Sequence, residues 1–186
     1  MPRSKPFPIL ALAVLTAGCA GTSVIHSSYY NSGYTPGHVQ LAASGDALAV
    51  IRDNPFPADR NNAGVVAAMQ ERNIGPKMHF SQTERPDDRY GYKVVLDFGG
   101  DGYGYGGICQ AEPTPPASHP PTDRIWVTGA FCVGDTLLTE ANGSIGEASG
   151  PTDPRFQNLV SDVLVALTPP YDPNRRNDDH CRGPGC

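Results

Sequence analysis

The 186-residue chain has no run of basic residues, and it has no stretch of about 20 apolar residues. The first absence argues against nucleic acid as a partner. The second argues against a helix that crosses a bilayer. Several chemical signatures are missing too. There is no G-x-S-x-G elbow; Gly143-Ser144-Ile145-Gly146 matches it only superficially and falls at a strand end. There is no G-x-x-x-x-G-K-[ST] phosphate loop, and no helix is expected after the Gly-rich stretch 99–107. The Asp-Gly pairs of that stretch lack the oxygen-ligand spacing of a calcium loop. Nothing in the sequence calls for a cofactor.

What is present begins at the N-terminus. Arg3 and Lys5 form a short basic start, Ile9 to Ala17 is apolar, and small residues precede a break. That is the layout of an export signal, expected to cover residues 1–18. The break reads Leu15-Thr16-Ala17-Gly18-Cys19. It resembles the lipobox of bacterial lipoproteins, with Leu15 one place earlier than usual. The resemblance covers these residues only. It implies cleavage after Gly18 and a diacylglyceryl group on Cys19. Acyl chains there add about 0.8 kcal/mol of membrane affinity per buried methylene. The lipid membrane is therefore the first expected partner, through Cys19. Ala20 follows the acylated position, where lipoproteins kept at the inner membrane usually have aspartate. The resemblance thus implies the outer membrane, on its periplasmic face.

Loss of Arg3 and Lys5 from fourteen Lys and Arg leaves twelve basic side chains against nineteen acidic ones. The mature chain is acidic and long enough for one domain. With Cys19 acylated, Cys109, Cys132, Cys181 and Cys186 remain. An even number in an exported protein favours disulfides. Pairing near neighbours gives Cys109–Cys132 and Cys181–Cys186. Closing the first loop stabilises by roughly 3 kcal/mol in the chain-entropy picture. The competing reading is a metal site of His180, Cys181 and Cys186, but the spacing fits no standard zinc pattern, and no metal is expected.

Residues 19–45 read as lipid anchor and tether, rich in Ser, Gly, Tyr, Asn and Ala. About 25 flexible residues span roughly 25–30 Å, enough to clear the headgroups. Tyr29, Tyr30 and Tyr34 fit either a contact segment or packing on the domain or the interface. The domain is expected over 46–168. Ala47 to Arg52 reads as a strand, and Asp59 as the cap of a helix running to about Asn73 and ended by Gly75-Pro76. Its apolar face is Val65, Val66, Ala68 and Met69. Lys77 to Gln82 reads as a short strand and Glu84 to Arg89 as a charged turn.

Tyr90 to Phe98 is the clearest strand. Tyr90, Tyr92, Val94, Leu96 and Phe98 share one face, and Lys93, Val95 and Asp97 share another that is expected to be partly wet. Residues 99–122 read as a long loop, Gly/Tyr-rich and then proline-rich. Arg124 to Val133 and Thr136 to Ser144 read as a hairpin around Gly134-Asp135. Ile125, Val127, Phe131 and Val133 share one face; Trp126, Thr128, Ala130 and Cys132 share the other. Asp153 caps a helix with Pro154 in its first position, and Phe156, Leu159, Val160, Val163, Leu164 and Leu167 recur at helical spacing. Pro169-Pro170 ends it, and 169–186 is a polar tail. The expected class is α+β: an antiparallel or mixed sheet of about five strands with two helices packed on one face.

Candidate chemistry is sparse. Asp97 and Asp101 flank the Gly-rich stretch and are the best pair of carboxylates for a cell-wall hydrolase. His26 and His38 fall in the tether, His119 lies among prolines, and His79 reads as a surface strand residue. Tyr103 and Tyr105 offer broad contact area at low entropic cost and are candidate binding residues. The expected function is a membrane-anchored envelope lipoprotein with a non-enzymatic binding, structural or assembly role. Its further partner would be another envelope protein or a cell-wall component. The alternatives are a cell-envelope hydrolase and a ligand- or metal-binding lipoprotein.

Overall fold

A computed structural model describes residues 22–84, 90–99, 107–111 and 123–174. These residues form an α+β fold with one six-stranded mixed sheet and three α-helices. The strands are β1 Val24–Tyr30, β2 Asp46–Arg52, β3 His79–Ser81, β4 Tyr92–Asp97, β5 Ile125–Val133 and β6 Thr136–Ile145. The helices are α1 Pro36–Ala43, α2 Ala63–Met69 and α3 Pro154–Leu167. The sheet order is β1-β6-β5-β4-β2-β3; β2 is parallel to both neighbours, and the other pairs are antiparallel.

The largest difference from expectation lies in the tether. From Val24 onward it is domain: β1 closes one side of the sheet against β6, and α1 lies against β2. Two features hide β1 in the sequence. It is a mostly exposed strand, and its register slips between Ile25 and Ser27. That bulge breaks the period-two pattern a reader would look for. Tyr34, between β1 and α1, is fully buried, and its hydroxyl donates to the Pro169 carbonyl at 2.7 Å. Burial holds its phenol well above the ordinary value, with Tyr30 and Asp172 adding to the effect. The first residues of the tail are likewise bound, since the Asn174 amide donates to the Asn31 carbonyl.

The other elements follow local chemistry closely. The hairpin turn is the two residues Gly134-Asp135, and Gly134 has φ +54°, which suits glycine and the tight turn. Asp153 caps α3 by accepting from the Arg155 amide at 2.9 Å and is paired with the Arg155 guanidinium at 2.7 Å. That guanidinium, then the Ser149 and Arg155 amides, hold the Asp153 carboxyl far below the usual range. All six apolar positions expected on α3 are buried. Helix α2 is shorter than expected: it stops at Met69, and its N-cap is Asn62 rather than Asp59. Asp59 still acts at that end, accepting from the Gly64 and Val65 amides. Burial pushes its carboxyl up, but these two amides and the Asn54 side chain outweigh burial and leave it below the ordinary value. Strand β3 is three residues long, and exposed Tyr90 lies outside β4.

One large core fills the space between sheet and helices, with buried residues from all three helices in it. The opposite sheet face is drier than expected. Val95, Ala130 and Cys132 there pack with Leu137 under Ile108 and Cys109 of a short 3-10 turn, Gly107–Cys109. That turn lies within the stretch expected to be loop.

Candidate functional site

Strand register aligns five polar side chains in one line across the sheet face away from the helices. They are Arg52 on β2, Asp97 on β4, Thr128 on β5, Asn142 on β6 and Ser27 on β1. Thr128 and Asp97 are fully buried. The Thr128 hydroxyl donates to the Asn142 amide oxygen at 2.7 Å, and the Asn142 amide donates to Ser27 at 3.0 Å. Asp97 accepts from the Gly99 amide at 2.8 Å. Arg52 donates to the carbonyls of Ile108 and Gln110 at 2.9 and 2.7 Å. Together with the Cys109–Cys132 disulfide, Arg52 fastens the 107–111 segment onto this face. The bond matches the expected first pairing.

Glu140 stands one step along β6 from this line, opposite Ala130 and Tyr29. It is 7% exposed, and its Oε2 has no hydrogen-bond partner. Burial pushes its carboxyl above the ordinary range, against a smaller opposing effect of the Asn142 side chain. At the other side of the line, Trp126 has its indole N–H buried without a partner. His26, at the bulge of β1, stacks on Trp126 with centroids 4.7 Å apart. Its Nε2 lies 2.8 Å from the Ser144 hydroxyl, which also accepts from Arg124 at 3.1 Å.

A serine bonded to a histidine is two-thirds of a nucleophilic triad. Here Ser144 is fully buried within a strand, and Arg124 already donates to its oxygen. Among the described residues, no carboxylate orients the His26 ring. The arrangement can hold a polar group by hydrogen bonds and an aromatic face; it is not set up to attack one.

Of the residues singled out in the sequence, the structure places Cys109 and Cys132 together and Asp97, buried, in the polar line. Cys19, Asp101, Tyr103, Tyr105, His119, His180, Cys181 and Cys186 lie outside the described residues, as do the signal peptide, most of the charged turn and the proline-rich stretch. His79 is exposed, as expected for a surface strand residue, 3.8 Å from Glu71. His38, expected in a tether, bonds the Tyr92 hydroxyl at 2.8 Å. No group of three His, Cys, Asp or Glu suited to a metal occurs among the described residues, and no helix there is long and apolar enough to cross a membrane. Sequence reasoning missed His26, Trp126 and Ser144 as neighbours, and missed the burial of Glu140. The one available signal was Glu140, a lone carboxylate in a strand otherwise free of charge.

No protein-family model matches the chain, and comparison with curated proteins finds no match. Among solved structures, it is similar to the PelC dodecamer from Paraburkholderia phytofirmans. A point variant of that protein shows 14% identity and a TM-score of 0.41, over 79% of this chain and 98% of that one. The unsubstituted protein shows 17% identity and a TM-score of 0.36, over 80% and 98%. At TM-scores this low, neither likeness bears on function.

Proposed function

We propose that the chain is a lipid-anchored protein of the bacterial envelope, held by acylated Cys19, with a binding or structural role rather than a catalytic one. The observation that carries this reading is the Cys109–Cys132 bond. Structural disulfides persist in oxidising compartments outside the cytosol, which agrees with an export signal ahead of Cys19. The polar line, buried at Asp97 and Thr128 and open at Ser27, with Glu140 and Trp126 at its flanks, supports a binding role for the sheet face. The further partner is another envelope protein or a cell-wall component, and Ala20 favours the outer membrane.

Intact mass of membrane-extracted protein tests the anchor, with Cys19→Ser beside the wild type. The expected mass begins at Cys19 and carries acyl groups, and the variant lacks them. A wild-type protein without acyl groups would sink the proposal and make the domain a free exported protein.

A further inference from the structure

The anchor and the fold together leave almost no tether. Four residues lie between Cys19 and the first residue of β1, and the five residue-to-residue steps reach at most about 17 Å when fully extended. Contact with the domain starts one residue earlier still, since the Ser23 hydroxyl donates to Asp162 on α3. Free reach is then about 14 Å, less than half the roughly 34 Å length of ten-residue β6.

That short leash selects one end of the molecule. β1 begins beside the end of β6, where Val24 is opposite Ser144, and β5 begins there too, with Ile125 opposite Ile145. Helix α3 starts at the same end: its Leu159 lies beside Gly143, while its last residue, Leu167, meets Thr139 near the start of β6. This end carries Val24, which is 41% exposed, exposed Arg124 and half-buried Trp126; Arg155 is there too, with its guanidinium held by Asp153. Guanidinium groups pair well with phosphates, and tryptophan and valine suit the boundary between headgroups and acyl chains. Asp123, Glu147 and Asp162 are exposed at the same end, so attraction of opposite charge is not what brings it down. The covalent anchor does that, and contact at this end adds a second, weak hold to the acyl chains.

We infer that this end of the domain is seated on the lipid headgroup layer, with the Gly134-Asp135 turn and residues 169–174 pointing away from the bilayer. The inference rests on acylation of Cys19 as proposed above.

Trp126 is the only tryptophan in the chain and serves as the reporter. The acylated full-length protein is placed in phosphatidylcholine vesicles containing a lipid with a nitroxide on its headgroup. Trp126 emission is expected to be quenched. Insertion of a flexible Gly/Ser segment of about 20 residues between Thr22 and Ser23 is expected to remove most of the quenching. A second reporter, Thr136→Trp in a Trp126→Phe background, marks the far end and is expected to stay unquenched. Acyl groups present by mass with Trp126 unquenched, or both reporters quenched alike, would overturn the seating and leave the anchor intact. Protein without acyl groups would overturn both.

Discussion

Glu140 sits on the sheet face away from the helices with one carboxylate oxygen buried and unpartnered. Its carboxyl is raised by burial, so the folded state binds a proton more readily than the unfolded chain. The stability tied to that proton is complete below the unfolded value and is lost as pH rises through the folded one. Glu140→Gln removes the charge and keeps the shape. It is expected to raise the unfolding temperature by a few degrees at pH 7 and to change it little at pH 4. Thermal unfolding of both proteins at the two pH values checks this; a gain independent of pH would show that burial of charge is not the cause. The opposite sign holds at Asp153, whose lowered carboxyl favours folding above its unfolded value and loses that contribution in acid. The cap was legible from Asp-Pro before an amphipathic run. The burial of Glu140 was not, because it depends on which strands flank β6.

Helix α3 packs closely on the sheet because β5 and β6 carry glycines beneath it. A Cβ at Gly129 would lie 2.5 Å from a methyl of Val163 and 3.2 Å from one of Leu167. Gly129→Ala is therefore expected to destabilise by about 1–3 kcal/mol through overpacking. The double variant with Val163→Ala should lose less than the two single losses combined, since the smaller side chain makes room. Urea unfolding of the four proteins measures the coupling. Strictly additive losses would place the strain elsewhere. The sequence showed α3 clearly: six apolar residues at helical spacing between a cap and Pro169-Pro170. It could not show what Gly129 was for, since the methyl groups that forbid a side chain there come from 34 and 38 residues away.

Across the whole molecule, β1 changes the meaning of the N-terminal segment from spacer to structure. It covers one side of β6, places Ile25 against the main core and brings His26 to Trp126. A chain beginning at Thr22 should unfold with the same midpoint as one beginning at Cys19. A chain beginning at Asn31 should lose cooperative unfolding or aggregate, because the long edge of β6 is then open to other chains. Equal midpoints for all three would return residues 22–30 to the role of tether.

Local chemistry alone determined the hairpin, α3 with its cap, the inward face of β4 and β5, and one disulfide pairing. Each of these is written in neighbouring residues: a period of two or 3.6, a turn glycine, a capping aspartate, two cysteines a short loop apart. The export signal and acylation at Cys19 that we propose rest on the same kind of local reading. Only the tertiary structure decided that β1 and α1 belong to the domain, that the second sheet face is covered, and that Asp97, Thr128 and Asn142 form one polar line with Asp97 and Thr128 buried in it. These depend on register between strands far apart in sequence, and a bulged, exposed strand carries too little apolar pattern to announce its partner.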